Sequence, residues 1–247
     1  VVKYKPDVIY ADGEWDYDSE TLKSRKFLSW LYEESPVRNS VVVNDRWGYE
    51  TRSKHGDYYT TEYNLVHQKE GIGDKASHPW EESRGIGTSY GYNRFERAED
   101  YLSSKDLIRL LVRTVANGGN LLLDIGPEAN GLIPVVMQER LLDMGKWLEV
   151  NGEAIYSSHP CRSLTVRNNN VYLTRAHGNL YVIGTECPDG PVVIDGISKA
   201  GRASLLGETK GRIATTLRKG RLTVNIPPLS ICHQPSPLAW VVKVEDV

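Results

Sequence analysis

Apolar and polar positions divide the chain into two parts with different periodicities. In the first part, short β-branched runs alternate with stretches whose apolar residues recur every three or four positions, a pattern typical of alternating strands and helices. This alternation predicts parallel strands in βαβ units. The predicted strands are Val8–Tyr10, Ser40–Asn44, an extended segment at Trp80–Glu82 and Asn120–Ile125, and the predicted helices are Ser19–Glu34, Ser103–Asn117 and Pro134 to about Val150.

Individual residues support these boundaries. Ser19 is a candidate cap for the first helix, and Ser103 is a candidate cap for the second. The polar stretch Tyr49–Ser77 predicts a long loop containing a short strand at Tyr58–Tyr63. The continuous apolar run within Asn120–Ile125 predicts a strand that is buried on both faces.

The second part has a different pattern, which begins near Cys161. Its short runs rich in Val, Ile, Leu and Tyr are separated by Asn, Gly, Asp and Pro turns: LTVR, NVYLTR, NLYVIG, VVIDG, RLTVNIP and LAWVVKVE. Regularly spaced short strands of this kind predict an antiparallel β-sandwich. We therefore predict a (β/α) barrel region over residues 1–154 and a β-sandwich domain over residues 155–247, with the boundary near Ile155–Pro160.

The first part has four candidate buried strands, too few for an eight-stranded (β/α)8-like barrel. An open half barrel would leave strand edges unpaired. The expectation is that the chain is the C-terminal portion of a longer protein. The N-terminal half of the barrel would then be a missing or separate chain.

Composition excludes several classes of function. The net charge of −2 provides no general attraction to nucleic acid or to an anionic membrane, and no apolar run approaches the length of a membrane span. Three widely spaced cysteines (Cys161, Cys187, Cys232) and the histidines at positions 55, 67 and 78 lack the spacing of metal ligands, so no metal is expected. Six Trp and 14 Tyr against 2 Phe favour either sugar stacking or core filling.

Asp12 is the first candidate for chemistry, because it follows the predicted strand Val8–Tyr10 directly. A carboxylate at the C-terminal end of a barrel strand occupies the usual position of a catalytic group, although Asp before Gly is also ordinary turn chemistry. Tyr10 and Trp15 would supply aromatic walls. Arg46, in the motif NDRWG after the next strand, could bind this carboxylate and keep it ionised, or could be a surface residue on a loop. Asp45 could instead orient Arg46.

A second carboxylate is found in the motif HPWEES, as Glu81 or Glu82. A carboxyl group against the indole of Trp80 would lose solvation and could hold a proton for use as a general acid. Adjacent strand residues point to opposite faces, so one of the two should enter the pocket. Two carboxylates are the minimum equipment for glycoside hydrolysis. Tyr90 and Tyr92 could line a sugar pocket or pack in the core.

The motifs, taken in order, resemble the α-L-fucosidases of glycoside hydrolase family 29. The resemblance covers nearly the whole chain and is most specific up to Tyr156. It implies a (β/α)8-type barrel followed by a β-sandwich, with this chain beginning near the fourth barrel strand. It also implies cleavage of terminal α-L-fucose with retention of configuration and without a cofactor. The motifs that carry it are KPDVIYADGEW, FLSWLYEESPV, VVVNDRWG, HPWEES, SYGYNR, GGNLLLDIGPEANGLIP, ERLLDMGKWLEVNGEAIY and LAWVVKV.

The resemblance also implies roles for particular residues. Asp12 matches the family's nucleophile, and Arg46 matches an arginine that contacts both the nucleophile and the sugar. Glu81 matches the acid/base of one subgroup, which favours it over Glu82. Tyr10 stands where many members have a Trp at the pocket wall.

These inferences predict a retaining exo-α-L-fucosidase that acts on fucosylated oligosaccharides or glycoconjugates. The alternatives are an inactive protein that binds fucose or a glycan, and a retaining glycosidase for another sugar. Because glycans are met outside the cytosol, we expect a periplasmic or secreted location, or a lysosomal one in a eukaryote. A homo-oligomer is compatible with the sequence.

Overall fold

The computed structural model describes residues 1–63, 77–188, 190–208, 212–227 and 236–247 of the chain. These residues form two compact units. The first unit comprises Val1–Arg84 with Gly118–Leu122, and the second comprises Gly85–Asn117 with Leu123–Val247. The predicted boundary between residues 154 and 155 stays a prediction. None of the described helices is long and apolar enough to cross a membrane.

Parallel strand pairs form the framework of the first unit. Strand β1 (Val8–Ile9) pairs in parallel with β2 (Val42–Val43), and helix α1 (Ser24–Glu33) lies between them in the sequence. Strand β3 (Tyr59–Glu62) pairs in parallel with β4 (Trp80–Gly85). The predicted parallel arrangement is confirmed for both pairs, and the predicted strand within Tyr58–Tyr63 is also confirmed. Strand β5 (Gly119–Asp124) is the other neighbour of β4.

Two local predictions in the first unit are wrong. Ser19 does not cap α1, because its hydroxyl donates to Glu50 Oε1 at 2.5 Å and the helix begins at Ser24, after a left-handed Lys23. Strand β5 is not buried on both faces, since Asn120 and Leu122 are exposed. Strand β5 is at the edge of its three-stranded sheet, and among the described residues nothing covers the face that carries these two side chains.

The second unit combines two helices with a large sheet. Helix α2 (Ser104–Ala116) is capped by Ser103, whose hydroxyl accepts from Asp106 N at 3.1 Å, as predicted, and helix α3 (Val135–Asn151) follows Pro134. The sheet strands run antiparallel to their neighbours in the order β6-β8-β9-β14-β11-β12-β13-β10-β7. The strands are β6 (His159–Pro160), β7 (Thr165–Val166), β8 (Val171–Ala176), β9 (Asn179–Gly184), β10 (Val192–Asp195), β11 (Ala203–Leu205), β12 (Arg212–Arg218), β13 (Arg221–Asn225) and β14 (Trp240–Val244).

The sheet curls into a sandwich, which confirms the predicted fold class. Leu180 and Val182 of β9 face a core shared with β10, β13 and β14, while Tyr181 and Ile183 face a second core shared with α2 and α3. Both faces of β9 are therefore buried. This explains why its sequence is an unbroken apolar run instead of an alternating one.

Gly184 at the end of β9 has no room for a side chain, because a Cβ there would overlap the buried indole of Trp240. We expect Gly184→Ala to lower the free energy of unfolding by about 1–3 kcal/mol or more through overpacking. Gly145→Ala is the matched control: this helical position has no heavy atom within 4 Å of the added methyl. The control should raise stability by roughly 0.5–1 kcal/mol. Equal effects of the two variants in urea unfolding would contradict the packing argument.

Candidate active site

The carboxyl ends of β1 and β2 are joined by a side-chain amide. Asn44, fully buried, accepts from Ala11 N at 3.0 Å and donates to Ala11 O at 2.7 Å. These two hydrogen bonds link the segments that follow the two short strands, where backbone pairing between the strands has ended. It fixes the backbone that precedes Asp12 against the backbone that precedes Asp45 and Arg46.

Arg46 binds three different groups with three different nitrogens. Its Nη1 donates to Asp12 Oδ1 at 2.8 Å, its Nη2 to Glu62 Oε2 at 3.1 Å, and its Nε to Thr60 Oγ1 at 2.9 Å. The Arg46 side chain is 3% exposed, whereas those of Asp12 and Glu62 are 58% and 43% exposed. Its Cζ also lies 5.3 Å from the ring centroid of Tyr10. The structure therefore contains the contact between Asp12 and Arg46 that the sequence predicts.

Sequence reasoning missed Glu62. It is the last residue of β3, so it stands at the carboxyl end of a strand, as Asp12 and Arg46 do. The signal was available, because Tyr58–Tyr63 is a predicted strand and Glu62 falls at its end. The surrounding polar stretch predicts a loop, so the position of Glu62 at the end of a strand does not mark it as a candidate. Residues 64–76 of that stretch, His67 among them, lie outside the described residues.

Asp45, the residue before Arg46, has a buried carboxylate. Its Oδ1 accepts from Thr60 N at 3.0 Å and from Thr60 Oγ1 at 2.7 Å, and its Oδ2 accepts from Ser53 N at 2.8 Å. Arg52 donates to Thr60 O at 3.0 Å and forms an ion pair with Glu14. The loop after β1 is thus tied to β3 by two arginines.

Glu81 lies nearer the opposite ends of the strands. It is the second residue of β4 and pairs in register with Thr60, whereas Glu62 pairs with Ser83. A cavity of about 400 Å³ is lined by Glu81 and by residues at or before the amino ends of the strands, namely Val8, Val42, Asp57, Tyr58, Pro79 and Asn120. Burial raises the pKa of Glu81 above its ordinary value, and the charge of Arg46 offsets part of that rise. Among the described residues, Glu81 Oε1 has no hydrogen-bond partner.

Glu82 points away from Glu81, as strand alternation predicts. It is fully buried, and its Oε2 accepts from Thr61 Oγ1 at 3.0 Å. Burial raises the pKa of this carboxyl to about 7, against the opposing effect of the Thr61 hydrogen bond. Glu82 therefore stands in the interior of the first unit.

The predicted aromatic residues fall in different environments. Trp15 is 62% exposed, three residues beyond Asp12, while Trp80 is 1% exposed and packs against the backbone of Gly119. The burial of Trp80 indicates core packing. Tyr90 and Tyr92 lie in the second unit and are partly exposed, and their assignment to a sugar pocket stays a prediction.

No group of three or more His, Cys, Asp or Glu side chains among the described residues could hold a metal ion. Cys232 lies outside the described residues. Cys161 and Cys187 are free thiols.

The sequence model of the alpha-L-fucosidase family matches residues 1–153, which include every group described around Arg46. The chain belongs to the alpha-L-fucosidase family. Among the relatives of this fucosidase-family chain is the alpha-L-fucosidase of Dictyostelium discoideum, which is 41% identical over 100% of this chain and 54% of its own length. The human tissue alpha-L-fucosidase is 38% identical over 100% of this chain and 53% of its own length.

Solved structures of fucosidases have the same fold as this chain. The Thermotoga maritima alpha-fucosidase in complex with a mechanism-based inhibitor is 32% identical, with a TM-score of 0.75 over 98% of this chain and 53% of its own. An alpha-L-fucosidase isoenzyme from Paenibacillus thiaminolyticus gives 25% identity and a TM-score of 0.79 over 97% of this chain and 57% of its own. This fucosidase-family chain spans about half the length of the curated relatives it matches.

The buried carboxyl of Glu82 should make stability depend on pH. Its pKa is raised to about 7, so the folded state binds the proton more tightly than the unfolded state does. The resulting stabilisation is complete below the ordinary glutamate pKa and is lost as pH rises through 7. Between pH 5 and pH 8, the free energy of unfolding should fall by up to about 3 kcal/mol more in the wild type than in Glu82→Gln. Urea unfolding at both pH values measures this difference. Glu149→Gln, at an exposed position, is the control and should follow the wild type; identical pH dependence in Glu82→Gln would contradict the assignment.

Proposed function

We propose that the intact protein, together with any residues that precede Val1, is a retaining exo-α-L-fucosidase. The observation that carries the proposal is the pair of carboxylates, Asp12 and Glu62, on one guanidinium group. A retaining glycosidase requires two carboxyl groups about 5–5.5 Å apart, and the binding of both carboxylates by one guanidinium supports a short separation. Membership of the alpha-L-fucosidase family supports fucose as the sugar.

In the first step, Asp12 attacks the anomeric carbon while the bond from that carbon to the glycosidic oxygen breaks. A carboxylic acid gives its proton to the departing oxygen, and a fucosyl ester of Asp12 remains. Water then attacks the same carbon and loses its proton to the conjugate base of that acid, which releases fucose and restores the Asp12 carboxylate. The half-exposed position of Asp12, with one oxygen held by Arg46, supports this role.

The acid/base role has two candidates. The sequence favours Glu81, and its burial and raised pKa suit a group that holds a proton. The geometry favours Glu62, because it stands at the carboxyl end of its strand and shares Arg46 with Asp12, while Glu81 faces a cavity at the amino ends of the strands. Active sites of (β/α) barrels are at the carboxyl ends. We therefore propose Glu62 as the acid/base and retain Glu81 as the alternative.

The substrate we propose is the terminal α-L-fucose of an oligosaccharide or glycoconjugate. We propose Trp15 and Tyr10 as contacts of this sugar; their proximity to Asp12 in the sequence, and the contact of Tyr10 with Arg46, support the proposal. The N-terminal half of the same enzyme would complete the pocket. A secreted, periplasmic or lysosomal compartment fits a glycan substrate, and one curated relative is named a plasma alpha-L-fucosidase.

Removal of the nucleophile should abolish turnover. In the intact protein, Asp12→Gly is expected to lower kcat on an aryl α-L-fucoside by ~10⁴-fold or more. Azide should restore aryl release and give the β-fucosyl azide, because it attacks from the side that the carboxylate has left. Exposed Asp16→Gly is the control and should remain active. Full activity of Asp12→Gly would overturn the assignment of Asp12 as the nucleophile. A preference of the wild type for an aryl galactoside over the aryl fucoside would overturn the assignment of fucose as the sugar.

The two acid/base candidates can be distinguished by how the rates of their variants depend on the leaving group. Loss of the true acid should slow a poor leaving group, such as the alcohol of a disaccharide, by about 10²–10⁴-fold. An activated dinitrophenyl leaving group should be far less affected, and azide should give the α-fucosyl azide with retained configuration. We expect this pattern for Glu62→Ala. The same pattern for Glu81→Ala instead would favour the sequence-based alternative.

A further inference from the structure

We propose that Thr60 is a positioning residue: held by the buried carboxylate of Asp45, it sets the orientation of Arg46 and thereby the spacing of Asp12 and Glu62. This inference rests on the proposed function, because it explains how the two reacting carboxylates are held. Thr60 reaches the reacting groups through Arg46, so its influence passes through that guanidinium.

The orientation of Arg46 requires a third fixed point. Asp12 and Glu62 are both partly exposed carboxylates on side chains that can rotate, so they do not fix the guanidinium by themselves. The third contact, from Nε to Thr60 Oγ1, is buried and comes from the central part of β3. Because the guanidinium is planar, fixing Nε fixes the directions in which Nη1 and Nη2 can donate.

Asp45 determines which way the Thr60 hydroxyl points. A hydroxyl has one proton, and the 2.7 Å hydrogen bond to Asp45 Oδ1 uses it. The oxygen lone pairs of Thr60 are therefore left to face Arg46 Nε. Asp45 is itself held by Thr60 N, Ser53 N and the guanidinium of Arg52, whose Nε lies 3.7 Å from Oδ2. The chain of contacts runs from a fully buried carboxylate through one hydroxyl to the catalytic pair.

Thr60 also links the second arginine to the same loop. Its carbonyl accepts from Arg52 Nη2 at 3.0 Å, and Arg52 binds Glu14, two residues beyond Asp12. Both arginines that cross from β3 to the loop after β1 therefore contact Thr60. One contact is through its side chain and the other is through its backbone, so a change of side chain can test the first contact while leaving the second in place.

The test is Thr60→Val in the intact protein, which keeps the shape of the side chain and removes the hydroxyl. Misplacement of a reacting group by about 1 Å can cost about 10²-fold in rate, so we expect kcat to fall by about 10- to 100-fold with a smaller change in KM. The pH profile of kcat should also shift, because the surroundings of the catalytic pair change. Thr60→Ser, which restores a hydroxyl, should recover most of the activity.

Thr61→Val is the matched control. It makes the same chemical change one residue further along β3, where the hydroxyl donates to Glu82 Oε2 and the side chain points to the opposite face of the strand from Thr60. If Thr60→Val lowers only the melting temperature, or changes kcat no more than Thr61→Val does, the positioning role is wrong. A wild-type protein without fucosidase activity would instead overturn the proposed function.

A crystal structure of Thr60→Val tests the inference whether or not the protein is active. We expect the Arg46 guanidinium to rotate and to lose its contact with Asp12 or with Glu62. Arg46 bound to both carboxylates with unchanged geometry would overturn the proposal.

Discussion

The buried guanidinium of Arg46 is the constraint on which the first unit depends. Removing a charged group from water costs several kcal/mol unless opposite charges and hydrogen bonds replace the lost solvation. Here Asp12, Thr60 and Glu62 replace it, and they come from the ends of two different strands and the middle of one of them. The contacts that replace the lost solvation of Arg46 are therefore the same contacts that bring the two carboxylates together.

Parallel strands make this arrangement possible. Their carboxyl ends meet at one edge of the structure, and each loop that leaves this edge can contribute a side chain. Strands β1 and β2 are two residues long, too short to align their loops by ladder hydrogen bonds alone. The side-chain amide of Asn44 makes two hydrogen bonds to the backbone of Ala11. These bonds hold the two loops together beyond the point where the backbone pairing of the strands ends.

Local patterns allowed prediction of the fold class, the parallel pairs, the cap at Ser103 and the contact between Asp12 and Arg46. The first three depend on a run of residues and its immediate end, and the contact between Asp12 and Arg46 follows because both residues come after the carboxyl ends of neighbouring parallel strands. The failures depend on distant partners: Ser19 binds Glu50 instead of capping a helix, and β5 lacks a covering layer that no local apolar run could reveal. Glu62 was missed because the polar stretch that contains it predicts a loop, although Glu62 ends a strand.

The groups around Arg46 are close in sequence as well as in space. The contacts of Arg46 with Asp12, Thr60 and Glu62 span sequence separations of 34, 14 and 16 residues. Loop-closure entropy grows only slowly with loop length, so closing a loop of 34 residues costs little more than closing one of 14. The two carboxylates and the arginine that binds both therefore come from one continuous segment, residues 12–62, and none of these contacts requires a residue of the second unit.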